Sequence, residues 1–451
     1  MIRHRWPALM TDLYELTMAA GYFENGIRHQ ATFELFVRHM PPQRSYLIAA
    51  GLAQVLSYLS ELRFTEQEID FLRRHPAFRH VSSEFFDYLR QFRFTGDVWA
   101  LPEGTPFFAP EPVLYIRAPI IEAQVLETYL LSMINFQTSI ASKAARVVEA
   151  AKGRPVIEFG ARRAHSMDSA LYGARAAFIG GCVGTSNVEA GAIFGIPIYG
   201  TAAHSWTMAF DSEMEAFQAY FRVFPESTIL LLDTYDTMKA AEKATQLGPA
   251  IRGVRLDSGD VIALSKRVRQ ILDQAGMTDT KIIVSSDLDE YRITELLAAG
   301  APIDMFGVGT QLSVSYDAPT LGGVYKLVEQ VVDGQVQYKM KLSAEKATYP
   351  GRKQIWRRFD EHGHYLHDII GLMDEDPPEE GTVPLLKQYM RNGRICVQYP
   401  TLKEIQEAAR AHLARLPAQY RRIRGAETYP VKISPNLEAL RERVLRELRP
   451  Q

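Results

Sequence analysis

IRGVRLDSGD, at residues 251–260, is a short apolar run that ends in glycine and acidic side chains. Similar runs recur before and after it, and most are followed by a helix-like stretch: VIEFG (156–160), AAFIGG (176–181), IPIYGT (196–201), TILLLDTYD (228–236), KIIVSSDLD (281–289) and DMFGVGT (304–310). Continuous apolar strands that alternate with amphipathic helices are typical of a parallel sheet covered by helices. Seven such units favour an α/β fold in which the sheet closes into a β/α barrel.

Charged and hydroxyl side chains cluster where these strands are predicted to end. They are Arg162, Arg163, Thr201, His204, Asp233, Asp236, Arg255, Asp257, Asp287 and Thr310. Barrel enzymes place their chemistry at the carboxyl ends of the strands. Polar loops follow strands in any α/β protein, but that does not explain two clusters of arginine and aspartate beside glycine. We therefore predict a functional site at this end of the barrel.

The segments on either side of the predicted barrel have different patterns. Residues 1–150 combine helical patterns, such as TDLYELTMAAGYF, with the β-like stretch FTGDVWALPEGTPFFAPEPVLYIRAPI, and predict an α+β domain. Beyond the barrel at 151–330, a C-terminal segment (331–451) is expected to pack partly against the N-terminal domain. Near its start, VYKLVEQVVDGQVQYKMKLS predicts a hairpin around Asp333 and Gly334. Its end, NLEALRERVLREL, predicts a charged helix.

The composition excludes several classes of protein. With 47% hydrophobic and 23% charged residues, the chain has the balance of a folded globular protein. A formal net charge of -2 provides no global basic field to attract nucleic acid or an anionic membrane. The two cysteines are too few for a disulfide framework or a four-cysteine zinc site. No signal peptide or membrane span is recognised, and we expect a cytoplasmic protein.

The residues alone leave the chemistry of the predicted site open. Glycine-flanked N–H groups in GVRLDSGD and FGVGT could approach phosphate oxygens. Arg255 suits a carboxylate or phosphate, and Asp257 could bind ribose hydroxyls or a metal, but the two could equally form a buried structural pair. A single histidine such as His204 is more often structural than catalytic. If Asp233 holds one ring nitrogen of His204, the other becomes a nucleophile of defined tautomer.

Nine blocks of the chain resemble, in the same order, those of nicotinate phosphoribosyltransferases. They are TDLYELTM, FELFVRHMPPQRSYLIAAGL, EFGARRAHS, GTSNVEAG, GTAAHS, LLLDTYDT, GVRLDSGD, FGVGT and GGVYKLV, and KLSAEKATYPGRKQ extends the likeness. The resemblance implies an irregular β/α barrel of the type II phosphoribosyltransferase kind, joined to an α/β N-terminal domain and a C-terminal extension. It also implies homodimers with active sites at the subunit boundary.

The resemblance further implies an activity. Members join nicotinate to 5-phosphoribosyl 1-pyrophosphate, with Mg²⁺, in the first committed step of NAD salvage from nicotinate. The reaction is coupled to ATP hydrolysis through a phosphorylated histidine, which His204 matches. Catalytic positions are then His204, Asp233 and Asp257, the last at the ribose.

The remaining site residues are also carried over by motif. Nicotinate-binding positions are Phe159, which would stack on the ring, Arg255 and Thr201, which would hold its carboxylate, Ser186, and Tyr14 reaching in from the partner subunit. Phosphate-binding positions are Arg162, Gly309, Thr310, Lys341, Lys346 and Lys353. Without the resemblance, Phe159 and Tyr14 would be core residues and the lysines a solvated face.

Three alternatives compete with this interpretation. The nicotinamide-specific relative has an aspartate where this chain has Ser186, because a carboxylate accepts from an amide but repels a second carboxylate; Ser186 therefore favours nicotinate. Quinolinate phosphoribosyltransferase is shorter and lacks the GTAAHS block. A non-catalytic binding protein would have lost His204, Arg255 or Asp257, and all three are present.

The stretch 362–382 contains three histidines and many acids, and a solvated loop is favoured there over a metal site.

Overall fold

The computed structural model describes residues 7–285, 287–342 and 348–448. Its strands are β1 (Gln30–Val37), β2 (Leu47–Ile48), β3 (Asp97–Ala100), β4 (Pro106–Phe107), β5 (Pro112–Pro119), β6 (Val156–Glu158), β7 (Gly184–Thr185), β8 (Ile229–Leu231), β9 (Gly253–Leu256), β10 (Lys281–Val284), β11 (Met305–Val308), β12 (Gly323–Val332), β13 (Gln335–Tyr338), β14 (Lys353–Phe359), β15 (Tyr365–Leu372), β16 (Thr382–Pro384), β17 (Lys387–Arg391), β18 (Arg394–Ile395) and β19 (Val431–Ile433).

Helices alternate with these strands. They are α1 (Leu13–Glu24), α2 (Leu52–Glu61), α3 (Glu66–Arg74), α4 (Ser83–Gln91), α5 (Ile120–Gln124), α6 (Glu127–Ala150), α7 (Met167–Ile179), α8 (Val188–Phe194), α9 (His204–Met208), α10 (Glu213–Val223), α11 (Thr237–Thr245), α12 (Val261–Gln274), α13 (Glu290–Ala298), α14 (Thr310–Ser313), α15 (Leu402–Arg415), α16 (Ala418–Arg421) and α17 (Pro435–Leu448). Short 3₁₀ turns occur at Pro7–Leu9 and Pro76–Phe78. No helix in the described part of the chain is long and apolar enough to cross a bilayer.

The central sheet is parallel, as predicted. Its strand order is β7-β6-β11-β10-β9-β8. Within the described residues, the two edge strands β7 and β8 do not pair with each other. Segment 197–199 instead runs beside β7, with Thr185 N–H donating to the Pro197 carbonyl at 3.0 Å and Tyr199 N–H to the Thr185 carbonyl at 2.9 Å. Two residues further on, Thr201 accepts a hydrogen bond from Arg255 of β9 and so connects this part of the chain to the sheet, as expected of an irregular barrel.

Five of the seven predicted barrel strands are confirmed, as β6, β8, β9, β10 and β11. The strand predicted at 176–181 is wrong, because this run forms the end of α7 and turns at Gly180. Its small apolar residues pack against α6 so closely that a Cβ on Gly180 would overlap the Ala141 carbonyl. The run predicted at 196–201 forms only an isolated bridge, Thr185↔Ile198. Gly184–Thr185, which was not predicted as a strand, supplies β7.

A second sheet, antiparallel in every pairing, combines strands from both ends of the chain. Its order is β13-β12-β1-β5-β3-β17-β18, so strands after the barrel flank those before it. The predicted hairpin at Asp333 and Gly334 is confirmed, and both residues have positive φ. The charged C-terminal helix is confirmed as α17. Strand β12 runs across the proposed boundary at 330/331, and the division into three segments remains a prediction.

A long helix joins the two halves of the fold. The 24 residues of α6 lead from the antiparallel sheet into β6, and their second half is almost entirely buried. Apolar clusters lie on either side of it, one under the antiparallel sheet and one around the barrel strands. Because α6 contributes to both regions, it can connect the N-terminal sheet to the loops at the barrel's carboxyl end.

Candidate active site

A cavity of about 230 Å³ lies at the carboxyl ends of β6, β9, β10 and β11. It is lined by Phe159, Arg162, Arg163, Arg255, Asp257, Ser285, Asp287, Leu288, Gly309, Thr310 and Gln311. Three arginines face two aspartates, so the lining is cationic overall. The structure therefore gathers around one cavity side chains from four strand ends that are far apart in the sequence.

A larger cavity of about 580 Å³ lies at the opposite, amino-terminal ends of β6, β10 and β11. Its charged side chains already serve local structure. Arg269 donates to the carbonyls of Thr280 and Met277, and Arg154 donates to the carbonyl of Ile303. We therefore place the chemistry at the smaller cavity, where polar groups from separate loops converge.

Arg255 is the most densely bonded side chain of the site. Its Nε donates to Ser285 Oγ at 2.8 Å, Nη1 to Thr201 Oγ1 at 2.5 Å and Nη2 to Asp257 Oδ1 at 2.8 Å. The Ser285 hydroxyl also donates to Asp257 Oδ1. A guanidinium has five N–H groups, so these contacts fix its plane and leave N–H capacity for an anion. Thr201 and Arg255 thus lie together, as predicted.

Asp257 is ionised within this cluster. Burial alone would raise its pKa, but hydrogen bonds from Arg255 and Ser285 and the positive charge of Arg255 lower the pKa below its usual value. The carboxylate is accordingly an acceptor, which suits ribose hydroxyls or a metal-bound water better than proton donation.

His204 is the first residue of α9, and its side chain is 41% exposed. Nδ1 lies 3.2 Å from Thr234 Oγ1, and Nε2 lies 3.9 Å from Asp257 Oδ2. If Nδ1 donates to the Thr234 hydroxyl, Nε2 keeps its lone pair. His204 thus adjoins the cavity through Asp257, which lines it.

Asp233 does not hold a ring nitrogen of His204, so the arrangement considered from the sequence is wrong. Asp233 Oδ2 accepts instead from the backbone N–H of Asp257 at 3.0 Å and from Ser258 Oγ at 2.6 Å. Its buried Oδ1 has no hydrogen-bond partner among the described residues. The strand end carries two polar residues in succession, and it is Thr234 whose side chain faces the imidazole.

Phe159 lies across the neighbouring strand β11. Its N–H donates to the Val308 carbonyl at 2.8 Å, and a Cβ on Gly307 would lie 2.5 Å from the ring. Glycine at 307 therefore allows the ring to lie against the strand. Ser186 follows β7 and is half-buried; its N–H donates to the Glu158 carbonyl at 2.9 Å. Ser186 is one strand away from Phe159 and is not among the residues that line the cavity.

The predicted phosphate-binding residues divide into two groups. Arg162, Gly309 and Thr310 line the cavity. Lys353 does not, because its buried ammonium binds Glu34 at 3.0 Å and the carbonyls of Tyr349 and Gly351; the prediction of a phosphate contact is wrong for Lys353. Lys341 is exposed and is not part of the lining, and Lys346 lies outside the described residues.

Tyr14 is on α1, in the other half of the fold, and is not part of this cavity. Its side chain is 45% exposed. Partial burial, followed by the charge of Glu127, raises the pKa of its hydroxyl, which therefore remains protonated. A contact with the active site of a second subunit stays a prediction.

Sequence reasoning missed two functional candidates, Ser285 and Thr234. Ser285 follows β10 directly, and Thr234 lies three positions after the end of β8, so a search of the strand ends could have found both. Their importance comes from bonds to Arg255, Asp257 and His204, which no local pattern encodes.

The histidine- and acid-rich stretch at 362–382 forms ordinary pairs such as His367–Glu379 at 2.9 Å. Within residues 7–285, 287–342 and 348–448, no group of three or more His, Cys, Asp or Glu side chains could hold a metal ion.

Comparison with known proteins adds independent information. Three family models match the chain: the nicotinate phosphoribosyltransferase (NAPRTase) N-terminal domain at residues 9–135, the NAPRTase family at 155–352 and the nicotinate phosphoribosyltransferase C-terminal domain at 381–441. A nicotinate phosphoribosyltransferase of Mycobacterium tuberculosis is 48% identical, covering 97% of this chain and 93% of its own length. That of Bacillus subtilis is 39% identical, covering 95% and 93%. The crystal structure of human nicotinic acid phosphoribosyltransferase superposes with a TM-score of 0.84 at 29% identity, over 97% of this chain and 100% of that one.

Proposed function

This chain belongs to the nicotinate phosphoribosyltransferase family, and from that premise we propose that it joins nicotinate to 5-phosphoribosyl 1-pyrophosphate. The products are nicotinate mononucleotide and pyrophosphate. One observation carries this proposal: Arg255, fixed by Thr201, Ser285 and Asp257, lines the same cationic cavity as Arg162 and Thr310. Such a cavity can hold a carboxylate and a phosphate at the same time.

The transfer requires little from the protein beyond positioning. The pyridine nitrogen of nicotinate has a free lone pair, so no general base is needed. It forms a bond to ribose C1 while the C1–O bond breaks, and pyrophosphate leaves with the electron pair. Arg255 would hold the nicotinate carboxylate, Phe159 would stack on the ring, and Asp257 would accept from the ribose hydroxyls. Arg162 and nearby N–H groups would neutralise the leaving charge.

We propose that Mg²⁺ binds at this cavity together with the phosphorylated substrate. Asp257 and Asp287 line the cavity and would each offer a carboxylate oxygen, and Asp233 Oδ1 is buried without a hydrogen-bond partner among the described residues. Mg²⁺ is usually held by one or two carboxylates together with substrate phosphates and waters. Bound there, it would add positive charge beside the leaving pyrophosphate.

We further propose that ATP hydrolysis is coupled to the transfer through phosphorylation of His204, which makes the enzyme an ATP-coupled ligase. Support comes from the exposed ring beside Asp257 and from Thr234, whose hydroxyl lies 3.2 Å from Nδ1; a hydrogen bond from Nδ1 to this hydroxyl would leave the lone pair of Nε2 as the nucleophile. A phosphoryl group adds about two negative charges at this point. It would thereby change how the anionic donor substrate binds.

The test of this coupling is a His204→Ala variant. We expect it to lose nicotinate-stimulated ADP release but to keep slow, ATP-independent synthesis, because the groups that hold both substrates remain. The exposed His362, which lies beside Glu361 and is not part of the cavity lining, provides a control, and His362→Ala should leave both rates unchanged. Complete loss of synthesis by His204→Ala, with the fold and substrate binding intact, would contradict the proposed role.

The substrate itself is tested with a panel of nicotinate, nicotinamide and quinolinate, with each product identified by its mass. We expect product from nicotinate, in keeping with Ser186 in place of an aspartate. Exclusive turnover of nicotinamide or quinolinate would overturn the assignment. ADP release without any stimulation by nicotinate, and without product, would favour a binding protein.

A homodimer in the cytoplasm is also proposed, in which Tyr14 contacts the partner's active site. Support comes from the large apolar side chains Leu13, Tyr14 and Met18, which α1 leaves exposed. Both cysteines are free, which fits a reducing compartment. Equilibrium sedimentation gives the assembly state, and a monomer with full activity would exclude the contribution of Tyr14.

A further inference from the structure

A cluster of buried charges lies behind the cavity, where α6 meets α13 and the segment after α14. It consists of Arg44, Lys143, Arg146, Glu290 and Asp317. The side chains of Arg44, Lys143, Arg146 and Glu290 are at most 1% exposed. None of these five residues lines the cavity.

Lys143 joins two segments that line the cavity at their other ends. Its Nζ lies 2.6 Å from Glu290 Oε2 and 2.8 Å from Asp317 Oδ1. Glu290 is the first residue of α13, two positions after Leu288, and Asp317 is six positions after Gln311. One ammonium group on α6 therefore connects the residues at 287–290 to the segment at 309–317.

Each carboxylate also has a separate arginine anchor. Arg44 binds Asp317 through Nε at 3.0 Å and Nη2 at 2.9 Å, while Arg146 Nε binds Glu290 Oε1 at 3.0 Å. Within this cluster, only Lys143 contacts both carboxylates. Its removal would leave each segment anchored but would no longer hold the two together.

Stability alone does not explain such a cluster. Burying charges has a large desolvation cost, and well-packed apolar residues often serve stability equally well. Buried ion pairs do, however, specify one geometry. At this position the specified geometry is the separation between the loop that carries Asp287 and the segment that carries Gly309 and Thr310.

We propose that Lys143 is a positioning residue for the phosphorylated substrate. By binding Glu290 and Asp317 together, it sets the width of the cavity at its β10–β11 side, and thus the site for the phosphate groups of 5-phosphoribosyl 1-pyrophosphate. This inference rests on the proposed function. Nicotinate depends instead on Arg255 and Phe159, which belong to β9 and to the end of β6.

The test compares Lys143→Met with Lys143→Arg. We expect Lys143→Met to raise the KM for 5-phosphoribosyl 1-pyrophosphate about tenfold, because a displacement of about 1 Å can cost about 100-fold and the two arginine anchors would limit the movement. The KM for nicotinate should change much less. Lys143→Arg should recover most of the loss, since a cation again contacts both carboxylates. If Lys143→Met does not fold, Asp317→Asn serves as a second variant. Asp317 is the less buried of the two carboxylates, and asparagine has nearly the same size without the charge.

Arg357→Met is the matched control. Arg357 is equally buried and pairs with Asp368 at 2.6 Å, but it lies on β14 and does not adjoin the cavity. The Arg357→Met substitution should lower the melting temperature without changing the ratio of the KM for 5-phosphoribosyl 1-pyrophosphate to the KM for nicotinate. Equal changes in both KM values for Lys143→Met, or an unchanged KM for 5-phosphoribosyl 1-pyrophosphate, would overturn the inference.

Binding separates this inference from the proposed function. The rise in melting temperature caused by 5-phosphoribosyl 1-pyrophosphate with Mg²⁺ can be measured without turnover. If the wild-type protein shows this rise but does not use nicotinate, the proposed function fails. A smaller rise in Lys143→Met than in Arg357→Met would still support the positioning role of Lys143. An equal rise in both variants would contradict that role.

Discussion

Arg255 shows how much of the site depends on the shape of one side chain. Its guanidinium contacts Ser285, Thr201 and Asp257 through three different nitrogens. A lysine ammonium is a point charge and cannot make this planar set of contacts. The three partners follow β10, precede α9 and follow β9. The arginine therefore organises the site as well as binding an anion.

We predict that Arg255→Lys lowers kcat/KM for nicotinate by one to two orders of magnitude. Loss of hydrogen bonds to a charged group costs about 1.5–3 kcal/mol, and the charge alone does not replace the fork. Steady-state kinetics measure the effect. Arg252→Lys is the control, because Arg252 donates to the Glu226 carbonyl outside the cavity. Unchanged kinetics in Arg255→Lys would place nicotinate elsewhere.

Individual site residues could be predicted only as far as strand ends reveal them. Arg162, Arg255, Asp257 and Thr310 all line the cavity, because residues at the carboxyl ends of parallel strands share one edge. The partner of His204 could not be predicted, since Asp233 and Thr234 are adjacent and their side-chain directions depend on the local backbone. The prediction for Lys353 is wrong for a related reason, because its buried ammonium pairs with Glu34, which lies far away in the sequence.

At the scale of elements, the barrel depends on a close contact between β7 and the segment after α8. A Cβ on Gly184 would overlap the Pro197 carbonyl and would lie 2.6 Å from the Tyr199 ring. Both neighbours belong to the segment that carries Thr201 towards Arg255. Glycine at 184 therefore determines where one wall of the site lies.

We predict that Gly184→Ala weakens nicotinate binding by moving this segment away from β7. Overpacking of this kind costs about 1–3 kcal/mol in the free energy of unfolding. The KM for nicotinate should rise together with the loss of stability, as measured by kinetics and denaturant unfolding. Gly200→Ala lies in the same segment with nothing within 4 Å of its new Cβ, and should change neither quantity. Equal behaviour of the two variants would exclude a role for the contact.

Elements with strong local patterns were predictable, and the run at 176–181 shows why one such prediction was wrong. Strands β8, β9, β10 and β11 are short, largely buried apolar runs, and 176–181 is a similar run that instead forms the end of α7. Periodicity cannot distinguish a short buried strand from a buried helix end. Packing against α6 decides between them, and that contact is not visible in the local sequence.

At the scale of the whole molecule, the chain returns to its first sheet after completing the barrel. Strands β12 and β17 pair with β1 and β3, which lie hundreds of residues earlier. Hydrophobic patterns predicted an N-terminal domain and a C-terminal segment, but not which strands would pair. Register between distant strands depends on the assembled core, so the joint sheet could only be seen in the structure.

The pKa values of two buried glutamates, Glu111 and Glu103, are shifted in opposite directions. Burial, and then the nearby Asp368 carboxylate, raise the pKa of Glu111 well above its ordinary value of 4.5. Burial would also raise the pKa of Glu103, but the charge of Arg175 and its hydrogen bonds lower it. Glu111 is therefore protonated in the folded protein at pH values where the unfolded chain has lost that proton.

This difference leads to a prediction about stability and pH. From pH 4.5 up to the raised pKa of Glu111, folding takes up a proton, so the free energy of unfolding falls as the pH rises. Glu111→Gln imitates the protonated form and should flatten this fall, giving a higher melting temperature than the wild type at pH 8. Glu103→Gln, in contrast, leaves the buried Arg175 without its counter-charge and should cost about 3–5 kcal/mol. Melting temperatures of the three proteins between pH 5 and 8 test both expectations. If Glu111→Gln lowers the melting temperature at pH 8 as Glu103→Gln does, then Glu111 is ionised in the folded state and its charge stabilises the fold.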